Sequence, residues 1–255
     1  MKRLSFRNSA LALSAAISAL FAPYAVAQDS CKLAATGTAT VAEVRDGRTL
    51  LLADGREVRL AGIEVTDGSR DVLQSIAGGR SVRLEQTGTA PDRYGRVVAF
   101  VYADDTRQSV QQALLAQGRA RVSGRIGNKA CAELLLDAER EARAARRGLW
   151  ADPNFAPLQS HDIGGIAAAR GQFAIVEGKV LSVRESGATI YVNFGRRWTR
   201  DFSVTILKRH RRDFAAAGVD PKELEGRRVR VRGWVEQRNG PMIQVTDPEQ
   251  IEIAR

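Results

Sequence analysis

The stretch TATVAEVRDGRTLLLADGREVRLAGIE, residues 38–64, decides the fold. Two Asp-Gly pairs, Asp46-Gly47 and Asp54-Gly55, cut it into runs rich in apolar and β-branched residues at 38–44, 49–52 and 57–63. Asp-Gly between such runs is a strong hairpin signal, because the tight turn needs positive φ that Gly, and to a lesser degree Asp, tolerates. Three antiparallel strands are therefore predicted here. Working outward, 81–85 and 97–102 supply two more strands, and helical patterns follow at 110–117 and 130–147. In the second helix Leu134, Ala138, Ala142, Ala145 and Leu149 recur at helical spacing, and Cys131 shares their face. Glu133, Asp137, Glu139 and Glu141 crowd its first half and Arg140, Arg143, Arg146 and Arg147 its second, which suits the helix dipole, and Gly148 marks its end. The architecture predicted is mainly β, a five-stranded barrel with helices packed on it.

Composition narrows the chemistry. The chain has 255 residues with 39 Lys+Arg against 29 Asp+Glu, a formal charge of +10. That length suits one large or two small domains, and 44% hydrophobic with 27% charged residues reads as globular. Two cysteines and the distant His161 and His210 make no Cys/His zinc cluster and leave little for a Ser-His or Cys-His nucleophile. Nearly all the cations are Arg, which favours phosphate or carboxylate partners.

The first 27 residues read as a signal peptide. Lys2, Arg3 and Arg7 precede an apolar run at 10–22, and Ala25-Val26-Ala27 offers a cleavage site. That run is too short to cross a core of ~30 Å, and no later apolar stretch is longer. The expectation is a periplasmic or secreted protein with no membrane insertion after cleavage. Export favours a Cys31–Cys131 disulfide; the alternative is two buried thiols.

Behind the leader the domains read as 28–158, a linker at 159–170 containing Gly164-Gly165, and 171–255. The charge is +2 over 28–158 and +5 over 159–255. The last segment shows strands at 174–183, 189–194, 202–206, 227–235 and 242–245, a helical patch at 208–217 and an Asn239-Gly240 hairpin signal. Gly178 and Gly233 lie inside strands, where a barrel bends, so a second OB-like barrel is expected. Arg196, Arg197, Trp198 and Arg200, with Tyr191, Phe194 and Phe202 nearby, interleave cations with aromatics in a manner suited to single-stranded nucleic acid. The alternative is a charged loop flanked by core aromatics. Residues 208–212, KRHRR, read as a solvated helix face.

Four motifs in order, VRDGRT at 44–49, VRLAGIE at 58–64, DRYGR at 92–96 and RRGLW at 146–150, resemble the staphylococcal nuclease (thermonuclease) family over about residues 38–151. The second segment looks like the C-terminal extension of some thermonuclease-like proteins. The resemblance implies an OB-fold barrel and calcium-dependent cleavage of DNA and RNA phosphodiesters. In that family two arginines hold the phosphate, two aspartates bind the metal and a glutamate assists the attacking water. Arg59 and Arg96 match the arginines, whose guanidinium forks suit the charge that develops on a phosphodiester under attack. Arg93 and Tyr94 match positions beside the nucleotide.

The acidic half departs from the pattern. Asp46-Gly47-Arg48-Thr49 stands where the family has Asp-Gly-Asp-Thr, so a metal-binding carboxylate is replaced by a cation. Glu64-Val65-Thr66-Asp67 replaces Asp-x-Pro-Glu: Glu64 is a candidate calcium ligand on a longer arm, and Asp67 takes the place of the catalytic glutamate, one methylene shorter. Only 14 residues separate Asp67 from Val82, so the adjoining wall is trimmed. Asp46 is a possible substitute ligand. If Arg48 points inward, its guanidinium lies near Glu64 and takes the cation's place. Three readings follow: an exported nucleic-acid-binding protein with an eroded calcium site, an active calcium-dependent secreted nuclease, and a non-enzymatic cell-envelope interaction module. DNA or RNA, single-stranded, is the expected partner; nothing in the sequence sets the oligomeric state.

Overall fold

The computed structural model describes residues 31–253 other than 87, 89, 105 and 125; the leader read at 1–27 lies outside them. Strands β1 (Ala34–Asp46), β2 (Thr49–Leu52) and β3 (Glu57–Leu60) follow one another through the two Asp-Gly turns. The run expected at 57–63 is two strands. Gly62 adopts φ 74 and lies so close to Ile126 and Leu135 that a Cβ would sit 2.9 Å from Ile126 Cγ1. The chain turns there, and β4 (Ile63–Val65) leaves the barrel. Helix α1 (Ser69–Ala77), which the sequence reading lacks, leads to β5 (Ser81–Gln86) and β6 (Val97–Ala103). Then come α2 (Val110–Ala116), β7 (Ala120–Val122), which pairs with β4, and α3 (Lys129–Ala144).

The five strands close in the order β1-β2-β3-β6-β5, the OB arrangement. Leu50, Leu52, Val58, Leu60, Val82, Leu84 and Phe100 fill the buried core. Ser109 and Gln112 form a capping box that starts α2, and the Asn128 side chain caps α3 by accepting from Cys131 N at 3.0 Å. Cys31 and Cys131 are joined in a disulfide, their Cα atoms 4.5 Å apart, which ties the chain before β1 to the first turn of α3. The buried face of α3 is Cys131, Leu135, Glu139 and Ala142, with Ala132 and Leu136. This corrects the expected stripe: Leu134 and Ala138 are only half-buried and Ala145 is exposed. The helix also ends at Ala144, before Arg146 enters the left-handed region at φ 51, and Gly148 begins a separate 3-10 turn.

The expected linker is part of the second unit. Residues 159–170 include the end of β8 (Leu158–Gln159) and a short helix, α4 (Ile163–Ala168). Asp162 caps this helix at Gly165 N, 2.9 Å, and its Ile166 is fully buried. The run 174–183 likewise divides into β9 (Phe173–Lys179) and β10 (Ser182–Ser186). β11 (Thr189–Asn193), β12 (Ser203–Leu207), α5 (Arg211–Ala216), β13 (Arg228–Gln237), β14 (Pro241–Val245) and β15 (Ile251–Ile253) complete the chain. These strands form one curled sheet in the order β10-β11-β12-β14-β13-β9-β8, with β15 on β13. At Gly233 β13 crosses so near Ile243 that a Cβ would lie 2.6 Å from Ile243 Cγ2. Pairing with β9 runs on to Trp234, and from Val235 the partner is β14.

A buried charge joins the two units. Arg232 on β13 reaches α3, and neither it nor Glu139 is exposed to solvent (both 0%). Its Nη1 donates to Glu139 Oε2 at 2.9 Å and to Val122 O at 3.1 Å, while Nη2 donates to Glu252. Beside it, Ala142, Leu149 and Trp150 from the first unit pack with Phe173 and Ile175 from the second. Arg121 adds a hydrogen bond to Phe173 O at 2.8 Å.

Candidate functional site

One open cavity of about 490 Å³ lies where β3, β4 and the 92–96 turn meet, and Arg59, Glu64, Asp92, Arg93, Tyr94 and Arg96 line it. The turn is organised by Asp92. Its Oδ1 accepts from Tyr94 N (2.9 Å) and Arg96 N (3.1 Å), and its Oδ2 accepts from Arg96 Nε (2.9 Å) and Nη2 (2.7 Å). Burial works to raise the Asp92 pKa, but these donors and the Arg96 charge outweigh it and hold the carboxyl at about 2. The fork fixes Arg96 on one side and leaves N–H groups on Nη1 to face a ligand. Tyr94 is exposed, with the guanidinium carbons of Arg93 and Arg96 at 4.7 and 4.9 Å from its ring centre. Arg59 stands on β3 opposite Val98 of β6. Burial lowers the pKa of its guanidinium, with the neighbouring charges of Arg48 and Arg96 adding to the effect and Glu64 and Asp92 opposing it. Three guanidinium groups thus act on one spot, where an anion would relieve their repulsion.

Arg48 lies at the β1–β2 turn. Its N–H donates to Asp46 Oδ1 at 2.8 Å, and its Nη1 forms a tight ion pair with Glu64 Oε2. This geometry does not fit the calcium ion that the family resemblance implies. Glu64, the best-placed carboxylate, already accepts a guanidinium, and Asp46 is engaged with its own turn. Among the described residues no cluster of three or more His, Cys, Asp or Glu side chains is positioned to hold a metal. Nor does the structure bring Asp67 into the cavity. Gly68, at φ 79, turns the chain, and Ser69 Oγ fixes the bend, its single O–H shared between Thr66 O and Arg119 O, both at 2.5 Å. Asp67 is left exposed outside the lining residues.

The second unit has its own cavity of about 580 Å³ on the sheet face, lined by Arg184, Tyr191, Trp198, Thr205, Arg238 and Gln244 among others. Trp198 and Tyr191 are exposed there. Arg196, Arg197 and Arg200 share the exposed loop with Trp198 but do not line the cavity, and Asp201 Oδ2 holds that loop by accepting from Arg197 N at 2.8 Å. Phe202 is buried and packs on the half-buried Phe194 with ring centres 5.1 Å apart, so both rings pack with the core. Lys208 and Arg211 lie near Glu185 (3.1 and 3.9 Å), on the surface. Arg184 and Arg238 were not singled out in the sequence. Only strand pairing sets Arg184 opposite Tyr191.

The family of staphylococcal nuclease homologues matches residues 58–152. An uncharacterized endonuclease of Escherichia coli is 32% identical over 127 residues, covering 46% of this chain and 79% of the relative. An uncharacterized endonuclease of Haemophilus influenzae is 31% identical over 128 residues, covering 46% of this chain and 68% of the relative. The match lies on the barrel unit and includes Arg59, Glu64, Asp67, Arg93, Tyr94 and Arg96.

Proposed function

The chain belongs to the staphylococcal nuclease family, and we propose that it is an exported member that binds nucleic acid and hydrolyses it weakly or not at all. Arg59 and Arg96 grip a phosphodiester while the exposed Tyr94 ring, near the guanidinium groups of Arg93 and Arg96, stacks on the adjoining base. The Arg48–Glu64 ion pair is the observation that carries this reading. It commits the carboxylate that a divalent cation would need, while Arg59 and Arg96 remain at the cavity to bind the phosphate. Asp92, the other carboxylate lining the cavity, is poorly suited to act as a base. A general base works best with a pKa near the operating pH, and Asp92 is held at about 2 by its hydrogen bonds to Arg96. The Cys31–Cys131 disulfide supports an oxidising, extracytoplasmic setting.

A second reading, an active calcium-dependent nuclease, draws support from the endonuclease names of the relatives. Incubating the protein with single-stranded DNA and RNA, in calcium or in EDTA, separates the two. Retention of intact strands in both buffers is expected; rapid digestion only in calcium would establish the second reading.

A further inference from the structure

Three cavities lie end to end across the two units. Glu64 and Ser123 line both the phosphate cavity and a smaller one of about 210 Å³ between the units, and Gln244 lines both that cleft and the cavity on the second sheet. Among the described residues, the aromatic side chains that are well exposed are Tyr94 (65%), Trp234 (49%), Tyr191 (38%) and Trp198 (65%). Every one of them lines this chain of cavities: Tyr94 the first, Trp234 the cleft, Tyr191 and Trp198 the last. An exposed Trp or Tyr forfeits burial free energy, so this confinement to one route is a feature to be explained by a ligand.

We propose that the route is a track for one single strand of nucleic acid, with Trp234 as the stacking station that carries it from the Arg59–Arg96 pocket onto the second sheet. The inference rests on the nucleic-acid reading above and extends it to a second binding region. The charge pattern supports it. Cations stand at both ends, Arg59, Arg93 and Arg96 at one and Arg184 and Arg238 at the other, while the middle contains Glu64 and Glu236. Phosphates are therefore held at the ends, and the cleft receives base faces, which are sequence-tolerant partners for aromatic rings. Trp234 is built to receive them: its ring is steadied by a T-shaped contact with Phe173, 6.2 Å between centres at 80°, yet half of the side chain is exposed. On the second sheet, Arg184, Tyr191, Thr205 and Gln244 form one cross-strand row over β10, β11, β12 and β14, so the track continues across the strands. A duplex has its bases stacked inside and cannot use these faces. The buried Arg232–Glu139 contact sets the register of the two halves of the track.

The test is anisotropy of the full-length protein with labelled oligothymidylates of two, six and twelve nucleotides, all in EDTA. The dinucleotide reports the Arg59–Arg96 pocket alone. Affinity is expected to rise at least tenfold from the dinucleotide to the dodecanucleotide. Trp234→Ala and Trp198→Ala should each remove about tenfold from the dodecanucleotide affinity while leaving the dinucleotide unchanged. Trp234→Phe, which keeps a ring against Phe173, should retain most of the affinity and controls for folding. Dinucleotide binding with no gain in affinity at greater length, or a gain insensitive to both tryptophan variants, would overturn the track and leave the pocket standing. No binding at any length would overturn both and would leave the cleft for another class of ligand.

Discussion

Replacing Arg232 by alanine tests whether the two units are one cooperative structure. Arg232 and Glu139 are completely buried, and the guanidinium donates to Glu139, Val122 O and Glu252. Its removal takes the closest cation from a fully buried carboxylate and leaves it Val122 N–H at 2.6 Å and the longer Arg143 Nη1 contact at 3.3 Å. Breaking a buried pair by deleting one partner costs about 3–5 kcal/mol. For a protein of this size that is a fall in Tm of roughly 6–20 °C, at about 2–4 °C per kcal/mol. Urea unfolding followed by tryptophan emission is the assay, because Trp150 is buried in the cluster that joins the units. The wild type should unfold in one transition and Arg232→Ala at a lower midpoint, with the transition broadened or split. The double variant Arg232→Met, Glu139→Gln should recover much of the loss, since the amide oxygen would remain an acceptor for Val122 N–H while the buried charge that lost its closest partner is gone. The pH dependence follows from Glu252. Burial raises its pKa, but the charges of Arg232, Arg230 and Arg143 outweigh burial and hold the carboxyl below its ordinary value. Its contribution to stability is therefore complete above the ordinary glutamate range and is lost as pH falls through the lower, folded value; Arg232→Ala should flatten that acid limb. A loss below about 1 kcal/mol, or strict additivity in the double variant, would refute the coupling argument.

Other outcomes follow from the same geometry. Arg59→Ala combined with Arg96→Ala should weaken dinucleotide binding by at least tenfold by calorimetry, since charge-assisted hydrogen bonds contribute ~1.5–3 kcal/mol each; unchanged affinity would place the phosphate elsewhere. NMR titration of the Asp92 carboxyl should give a midpoint of about 2, so the Asp92–Arg96 fork persists throughout the neutral and mildly acidic range and is lost only as pH falls toward that value. Mass analysis of denatured, non-reduced protein should find no alkylatable thiol. Substituting Cys131 by Ser should cost about 2–5 kcal/mol of stability, because a loop of 100 residues is released.

The barrel was legible because each hairpin is announced locally, by Asp46-Gly47 and Asp54-Gly55 between alternating apolar residues. Helix α1 was not, because it is nine residues long and begins after Gly68 without a side-chain cap. The true inner face of α3 was hidden for a different reason. Glu139 reads as a solvent-facing acid until Arg232, 93 positions away, supplies its buried partner. Residues 159–170 misled through Gly164-Gly165, whose turn character is overridden by the Asp162 cap and the buried Ile166. In the site, Arg59, Arg93, Tyr94 and Arg96 could be picked out by motif, and the structure gathers them at one cavity. Trp234, Arg184 and Arg238 could not, because their place on a common route depends on strand register and on how the units dock.

Arg48 carries the central claim, and the direct measurement is cleavage of single-stranded DNA by the wild type and by Arg48→Asp, each with and without calcium. In the wild type the guanidinium engages Glu64, so calcium should change the rate little. Arg48→Asp frees Glu64 and adds a second carboxylate beside it, so calcium-dependent cleavage should rise above the wild-type baseline. The rise should be partial, because Asp67 stays outside the cavity. A wild type that cleaves rapidly in calcium, and that Arg48→Asp weakens, would contradict the account.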